Sequence, residues 1–387
     1  MRRIPSLVAC AALVGVGMIS ATTAADAITV HDQATPVVPS PYVALGDSYS
    51  SGAGIMPQVA TASAVPCSRS QLNFAEDIAV STHPASFTDV TCSGATTADF
   101  FTSQMSAGAP IAPPQLDAVT ADTRLVTMTI GGNDEGAFVA SFFGCPKIDA
   151  GDPTGHKCMT TYGTTYTDQI ANQTYPNLVK ALTAVRAKAP QATVVILGYP
   201  QILPPTGSPT CYAATGISEG DVPWLYNQQM VLNDAVRRAA SATGALYVDT
   251  FTPSAGHDAC ALPTDRWMEP LVGFVNALPD HPNATGEAAM AREALAVITA
   301  ASTATTPPTT TPTTSGAASA PSAGTSAPTV AAAPQVRAPV GGVNTGGGPR
   351  PTSALDSPAL GVLGGLLLSS GIALGFGAYR RRVAGQK

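Results

Sequence analysis

Charged side chains are scarce in this 387-residue sequence, in which Asp, Glu, Lys and Arg together make up only 11% of the residues. The formal net charge is −6, and the central part of the chain has no cluster of lysine or arginine. A protein that binds nucleic acid needs a basic surface to neutralise phosphates. The sequence therefore predicts no nucleic-acid partner.

A metal-binding pattern is also missing. The chain has seven cysteines and five histidines, yet it has no C-x-x-C pair and no Cys/His group with the spacing of a zinc site. Apart from Cys10, which lies near the N-terminus, six cysteines remain, and an even number in an exported chain is typical of disulfides. We therefore expect no metal, no other cofactor and three disulfide bonds, whose pairing the count alone leaves open.

The N-terminal segment has the pattern of an export signal. Arg2 and Arg3 precede an apolar run, and an A-x-A pattern follows at Ala25–Ala27. These features predict a signal peptide over residues 1–27. A lipoprotein signal ending at Cys10 is the alternative, but it would leave too few apolar residues before the cysteine.

The C-terminal part has two further compositional segments. Residues 301–357 are dominated by Thr, Pro, Ala, Ser and Gly, which predicts a disordered stalk because little apolar surface can be buried. Residues 359–379 are apolar and uncharged, and about 20 such residues span a hydrocarbon core. The basic tail, residues 380–387, predicts a cytoplasmic C-terminus. We thus expect the remaining domain to be exported to the outer face of the cytoplasmic membrane and anchored there.

The remaining region, residues 38–300, alternates between short apolar or β-branched runs and helical patterns. The runs indicate buried parallel strands. Strand–helix alternation predicts a parallel sheet with helices on both faces and a ligand at the carboxyl ends of the strands. The predicted strands are 42–45, 87–90, 125–130, 193–197 and 245–248, and the predicted helices are 175–189, 222–242 and 283–300.

The motif GDSYSSG, residues 46–52, directly follows the first predicted strand. It places Ser48 at the start of a helix, where the dipole favours the negative charge that develops in acyl transfer. The motif differs from the G-x-S-x-G elbow of α/β-hydrolases because Ser50 stands where the second glycine belongs. Alone, it also fits an ordinary turn of small residues.

Two other predicted strand ends carry groups that suit an oxyanion. Gly94, in CSGATT, can bring a backbone N–H close to a ligand because glycine has no side chain. Asn133, in GGND, carries an amide that can donate to a developing negative charge. Each motif alone is compatible with a plain loop, but three such motifs at strand ends indicate a site.

Four motifs taken in order resemble the four sequence blocks of the SGNH, or GDSL, hydrolases. They are GDSY at 46–49, SGATT around Gly94, GGND at 131–134 and HPN at 281–283. The resemblance covers almost all of residues 40–300, and DVTCSGATT and GHDAC make it closest to the secreted actinobacterial branch. It implies a flavodoxin-like three-layer α/β/α sandwich with a parallel sheet, and a monomeric catalytic domain that hydrolyses carboxylic esters or lipids.

The resemblance also implies roles for individual residues. Ser48 would be the nucleophile and His281 the base. The oxyanion hole would consist of the Ser48 N–H, the Gly94 N–H and the Asn133 side chain. The related esterases further imply three disulfides between neighbouring cysteines. These pairs are Cys67–Cys92, Cys145–Cys158 and Cys211–Cys260.

The residue that orients the base departs from the family pattern. His257 is a competitor as the base, but His281 precedes the last predicted helix, as the family's base does. Many members place an aspartate three residues before this histidine, where this chain has Leu278. Asp280 is adjacent to His281, and neighbouring side chains on an extended chain point to opposite sides. We therefore expect a Ser48–His281 dyad in which the backbone carbonyl of Leu278 accepts from the ring N–H, as the resemblance implies.

The predicted function is an extracytoplasmic serine esterase or lipase that acts through a Ser–His dyad and an acyl-enzyme. Two alternatives stay open. A cell-wall or glycan acyltransferase or deacetylase would use the same site, whereas a non-catalytic binding module on a stalk would use none. An inert module has no need to keep Ser48, Gly94 and Asn133 together with His281, so the sequence favours catalysis.

Overall fold

The computed structural model describes residues 38–304. The predicted signal peptide, nearly all of the predicted stalk, the predicted membrane span and the basic tail lie outside these residues. Within 38–304, no helix is both long and apolar enough to cross a membrane. The structure therefore concerns the predicted domain 38–300.

Five strands form a fully parallel sheet. They are β1 (Tyr42–Ala44), β2 (Phe87–Asp89), β5 (Leu125–Met128), β6 (Thr193–Leu197) and β7 (Leu246–Val248), and they lie side by side in the order β2-β1-β5-β6-β7. β3 (Gln104–Ser106) and β4 (Ala109–Ala112) form a separate antiparallel hairpin. Counted among the parallel strands alone, this is the flavodoxin-like order 2-1-3-4-5. The predicted fold class is confirmed.

The direction in which successive strands are added to the sheet reverses between β1 and β5. Tyr42 of β1 pairs with Phe87 on one side and with Leu125 on the other. The chain moves outward to β2 from one side of β1 and to β6 and β7 from the other side. In sheets of this kind the ligand binds beyond the carboxyl ends of the strands at such a switch point. Ser48 follows β1 directly and therefore lies at this position.

Nine α-helices accompany the sheet in the described part of the chain. α6 packs against α8 and α2 packs against α9, and right-handed crossovers on the two sides of the switch point put these pairs on opposite faces. The helices are α1 (Ser48–Ser51), α2 (Phe74–Thr82), α3 (Ala137–Ile148), α4 (Lys157–Tyr162), α5 (Thr165–Gln169), α6 (Tyr175–Lys188), α7 (Pro209–Thr215), α8 (Val222–Thr243) and α9 (Ala284–Ala304).

Local sequence explains the main elements. All four residues of β5 are buried, as expected for a central parallel strand covered on both faces. α8 has Pro223 in its first turn, where the missing N–H costs nothing, and it ends at Gly244 with φ of 71°. Asn283 caps α9 because its side-chain oxygen accepts from the N–H groups of Thr285 and Gly286 at 3.1 Å.

Three disulfides tie the loops around the sheet. Cys67–Cys92 connects the segment before α2 to the loop that carries Gly94. Cys145–Cys158 joins α3 to α4, and Cys211–Cys260 joins α7 to the GHDAC loop. These are the three pairs that the family resemblance implies. None of the six half-cystines lies in a strand of the parallel sheet, so the strand order is set by packing and hydrogen bonds.

Candidate active site

Gly46 fixes the turn between β1 and the residue that begins α1. Its φ is +123°, and a Cβ atom there would lie 2.4 Å from the carbonyl oxygen of Thr129. The side chain of Gln115 closes the other side, because it accepts from the Gly46 N–H at 2.7 Å and donates to the Gly46 oxygen at 2.9 Å. Only glycine fits where the two backbone segments approach so closely, and this close approach sets the backbone position of Ser48.

Asp47 is the hydrogen-bond acceptor that stabilises this turn. Its Oδ1 accepts from the Tyr49 N–H at 3.1 Å and from the Thr129 hydroxyl at 2.7 Å, and its Oδ2 accepts from the Tyr199 hydroxyl at 2.5 Å. Burial raises the pKa of Asp47 to about 6, although these three donors oppose the rise. The aspartate of the GDS motif thus caps α1 and holds Ser48 against the neighbouring strand.

His281 meets Ser48 from a loop outside the sheet. The His281 Nε2 lies 2.8 Å from the Ser48 Oγ, and the Nδ1 lies 2.7 Å from the carbonyl oxygen of Pro279. A carbonyl only accepts, so Nδ1 carries the ring proton and Nε2 is left as the acceptor for the serine hydroxyl. Burial lowers the pKa of His281, which keeps the imidazole neutral. This is the arrangement of a nucleophile and its general base.

The prediction of the Leu278 carbonyl as the ring acceptor is wrong by one residue. The Leu278 oxygen accepts from the backbone N–H of His281 at 3.3 Å and so closes a four-residue turn. Pro279 occupies the second position, and Asp280 at the third position has φ of +58°, as a type II turn requires. In this turn the Leu278 carbonyl accepts from the His281 backbone N–H, and the Pro279 carbonyl faces the His281 ring.

In the described part of the chain, no hydrogen bond joins the Asp280 side chain to the His281 ring, because the two ring nitrogens are engaged by Pro279 and Ser48. The Asp280 side chain is buried beside the cleft, and its Oδ1 has no hydrogen-bond partner in the described part of the chain. Burial raises the pKa of Asp280 to about 7. Its main chain is held from the Ser48 side, because the Tyr49 hydroxyl donates to the Asp280 carbonyl and the Tyr49 ring packs 5.0 Å from the His281 ring.

Two of the three predicted oxyanion donors, Ser48 and Asn133, line the same cleft, and the loop that carries the third, Gly94, is hydrogen-bonded to Asn133. Among residues 38–304, the backbone N–H groups of Ser48 and Gly94 donate to no acceptor. Asn133 lines the same cleft as Ser48 and donates through Nδ2 to the Ala95 carbonyl at 3.0 Å, which leaves its second amide hydrogen available. This bond also holds the Gly94 loop next to Asn133. The structure thus puts Ser48 and Asn133 in one cleft and the Gly94 loop beside Asn133.

Asp134 connects the two loops that carry these donors, a role that the sequence analysis missed. Its carboxylate accepts from the Thr97 N–H at 2.8 Å and from the Thr97 hydroxyl at 2.7 Å. Burial raises the pKa of Asp134 to about 6. The acidic residue at the end of GGND and the threonine pair in SGATT were the available signals, because a buried carboxylate at the start of a helical turn needs N–H and O–H donors.

The cleft beside Ser48 has an apolar wall. Val139, Phe142 and Phe143 of α3 line it together with Tyr199. The competing histidine is occupied elsewhere: the His257 ring stacks on Trp267 at 4.1 Å, and its Nδ1 lies 2.5 Å from the Asp265 carbonyl. An apolar wall next to Ser48 and the Asn133 amide fits the acyl part of an ester.

The parallel flavodoxin-like sheet, with a serine at its switch point paired to a histidine before the last helix, defines a hydrolase of the SGNH class. Residues 44–289 match the model of the GDSL-like Lipase/Acylhydrolase family, and the chain belongs to that family. It is a carboxylic ester hydrolase, and this excludes the alternative of a non-catalytic binding module.

Known relatives agree with this assignment. The chain is 47% identical to Lipase 2 of Streptomyces coelicolor over 279 residues, which cover 71% of this chain and 91% of that protein. It is 30% identical to an esterase of Streptomyces scabiei, over 67% of this chain and 86% of that one. The crystal structure of phospholipase A1 from Streptomyces albidoflavus superposes with a TM-score of 0.55 at 30% identity, and the match covers 67% of this chain and 98% of that chain.

Proposed function

We propose that the protein is an extracytoplasmic serine esterase or lipase whose catalytic groups are Ser48 and His281. The observation that carries the proposal is the 2.8 Å contact between Ser48 Oγ and His281 Nε2, with the opposite ring nitrogen on the Pro279 carbonyl. This hydrogen-bond chain fixes the tautomer that a general base needs. The neutral carbonyl replaces the carboxylate of a Ser-His-Asp triad.

In the acylation step, His281 takes the proton of the Ser48 hydroxyl through Nε2. The Ser48 Oγ then forms a bond to the ester carbonyl carbon, and the carbonyl electron pair moves onto its oxygen. The protonated His281 delivers the proton to the leaving alcohol as the ester C–O bond breaks. An acyl-enzyme on Ser48 and a free alcohol result. Because burial lowers the pKa of His281, we expect the acid limb of kcat/KM to lie below the pKa of about 6.5 of an ordinary histidine.

The tetrahedral oxyanion is stabilised by the Ser48 N–H, the Gly94 N–H and the Asn133 amide. The α1 N-terminus adds the positive end of its first peptide dipoles. Preorganised donors of this kind need no rearrangement as the charge develops. In deacylation, water takes the place of the alcohol, His281 removes its proton, and Ser48 leaves with the proton returned to it.

We propose in addition that the domain acts outside the cytoplasm. Residues 1–27 are the export signal, residues 301–357 a stalk and residues 359–379 a membrane anchor, on the composition of these segments. The three disulfides support an oxidising compartment, where such bonds persist. Protease added to intact cells is then expected to release active domain by cutting the stalk. Activity that stays with protease-treated cells would contradict this arrangement.

Chromogenic esters of graded acyl length test the chemistry. The purified full-length protein should release the chromophore, and Ser48→Ala should not. Rapid mixing should show a burst of alcohol equal to the enzyme concentration if deacylation is slower than acylation. Added alcohol or sugar acceptors separate hydrolysis from acyl transfer, because a transferase makes a new ester in place of the free acid. Turnover that persists in Ser48→Ala would refute the assignment of the nucleophile.

A further inference from the structure

An exposed apolar loop precedes the histidine of the candidate dyad. Residues 270–279 contain no charged side chain. Within this stretch, Val272, Phe274 and Val275 are 62%, 45% and 73% exposed. We call residues 272–275 the apolar loop. Single exposed apolar side chains are common, but three on four consecutive residues form a patch that usually has a partner.

The backbone of the apolar loop is held in place by buried polar groups. The Val275 N–H donates to the Glu269 carboxylate at 2.9 Å, and the Arg266 guanidinium donates to the Gly273 carbonyl at 3.3 Å. Arg266 and Glu269 also form a buried ion pair at 2.8 Å. On the other side, the Val272 N–H donates to the Ala214 carbonyl at 2.9 Å. The loop is therefore supported in the conformation that presents its side chains to solvent.

The same support connects the apolar loop to the candidate active site. The Glu269 N–H donates to the His281 carbonyl at 2.9 Å, and the Asp280 N–H donates to the Glu269 carbonyl at 2.8 Å. After the loop, the Leu278 N–H donates to the carbonyl of Ala53, directly after α1, at 3.0 Å. The loop is thus connected by hydrogen bonds, through Glu269 and Leu278, to the segments that carry His281 and Ser48.

We propose that the apolar loop inserts into the lipid–water interface of aggregated ester substrate. This inference rests on the proposed function, because it makes the loop the contact surface for the substrate of that same site. The absence of charge suits a neutral apolar interface. Three side chains are too few for a stable protein–protein interface, which takes about 20 to 30 residues on each side. Apolar side chains that enter the headgroup boundary of a lipid layer contribute to reversible binding in proportion to the apolar area they bury.

A tryptophan reporter tests the insertion in the full-length chain. Phe274→Trp is made in a Ser48→Ala background, so that the substrate is not consumed, and it is mixed with phosphatidylcholine vesicles whose acyl chains carry bromine. The matched control is Val80→Trp in the same background. Val80 is 67% exposed near the end of α2, which leads to the beginning of β2 and so lies away from the cleft. Any attachment through segments outside residues 38–304 is common to both proteins.

We expect the indole introduced by Phe274→Trp to shift to the blue and to lose about half of its emission, with little change in the control. Equal quenching in both proteins, or none in either, overturns the inference. A blue shift that grows with protein concentration and is not quenched by bromine means that a second copy covers the loop, which also overturns it. Val275→Trp replaces Phe274→Trp if the latter unfolds.

A kinetic comparison tests the consequence for turnover with Ser48 intact. Val275→Asp places a charge on the apolar loop, and Val80→Asp is its matched control. We expect the ratio of activity on an emulsified long-chain ester to activity on a soluble short-chain ester to fall about tenfold for Val275→Asp alone. An unchanged ratio contradicts the inference. The proposed function fails separately, when Ser48→Ala retains hydrolysis of the soluble ester.

Discussion

The two residues of the candidate dyad are held by different kinds of structure. Ser48 stands on the carboxyl end of a central strand, where Gly46, Gln115 and Asp47 attach its turn to the sheet. His281 stands on a loop outside the sheet, held by its own turn and by main-chain bonds to Glu269. The first position follows from the parallel sheet itself. The second depends on a particular set of loop contacts.

This difference accounts for what the sequence predicted well and badly. A residue at the end of a buried strand has its position decided by the strand order, so a short motif is sufficient to place it. A loop residue takes its position from turn geometry, and a single positive φ changes which carbonyl faces the ring. We expect the loss of either residue to lower kcat equally. Changes in the residues that support them should affect the His281 loop more than the Ser48 turn.

The largest predicted effect is the loss of kcat when either residue of the dyad is replaced. His281→Ala should lower kcat by as much as Ser48→Ala, on the order of 10⁶-fold, because each removes the same proton-transfer unit. The double variant should be no worse than either single one, since groups that act as a unit are not additive. Steady-state kinetics on a soluble chromogenic ester measure all three. A residual activity in His281→Ala well above that of Ser48→Ala would mean that another group can replace the base.

The next effect concerns the support of the His281 loop. Glu269→Ala should destabilise the fold by about 3–5 kcal/mol, because it leaves the buried Arg266 guanidinium without its carboxylate. It also frees the Val275 N–H and one contact of Asn283. Urea unfolding of the variant and the parent measures the difference. Asp234→Ala is the control, since its ion pairs with Arg237 and Arg238 are exposed and each is worth about 1 kcal/mol or less.

A comparable loss in both variants would mean that the buried pair contributes no more than a surface pair. The His281 loop would then be held chiefly by its backbone bonds. The contrast would then lie between a serine held by the sheet and a histidine held by the main-chain bonds of its loop, without a contribution from the buried ion pair.

A third effect belongs to the Ser48 side of the cleft. Asn133→Ala should lower kcat by about 10²–10³-fold with a smaller change in KM, because the amide would donate mainly to the charge of the transition state. Asn276→Ala is a matched control, since this amide is exposed and lies outside the cleft lining. A variant of Asn133 with full kcat would remove that residue from the oxyanion hole, and the Ser48 and Gly94 N–H groups would remain as the only donors of the predicted set.

Much of the fold and of the candidate site follows from the sequence. The five parallel strands are predicted in the right places, although β5 ends at Met128, two residues before the predicted end. The motif residues Ser48, Asn133 and His281 line one cleft, and the Gly94 loop is hydrogen-bonded to Asn133. The β3–β4 hairpin was not predicted, because three of the four residues of β4 are Ala or Pro and give no clear β pattern.

The supports of the site were harder to predict because they come from remote parts of the chain. Tyr199 reaches Asp47 from the end of β6, and Gln115 reaches Gly46 from a short helical turn. No local sequence pattern predicts hydrogen bonds between residues so far apart in the chain. The turn before His281 did carry a signal: Pro279 followed by Asp280 is a typical central pair of a β-turn. An extended chain at this segment favoured the Leu278 carbonyl as the ring acceptor, whereas the turn presents the Pro279 carbonyl.

The smallest expected effect is on kcat/KM, when Asp280 in this turn is replaced. Asp280→Asn should lower kcat/KM by less than about tenfold, because the His281 ring is oriented by a carbonyl and not by this carboxylate. In a true triad, the same change of the aspartate costs about 10⁴-fold in kcat. Asparagine also tolerates the positive φ of this position. A loss near 10⁴-fold without unfolding would make Asp280 the third catalytic member.

Thermal unfolding separates this outcome from a purely structural effect. Burial raises the pKa of Asp280 to about 7, above the value of about 4 of an unfolded aspartate. The folded chain therefore holds the proton to higher pH than the unfolded chain, and the stability that Asp280 contributes is lost as the pH rises from about 4 to 7. Asparagine carries no such proton, so the Tm of Asp280→Asn should fall less than that of the parent between pH 5 and pH 8. If the two proteins show the same change in Tm, the carboxyl is ionised in the folded state at pH 5. A charged group would then lie beside His281, and its field would be the reason to reconsider a direct role for Asp280.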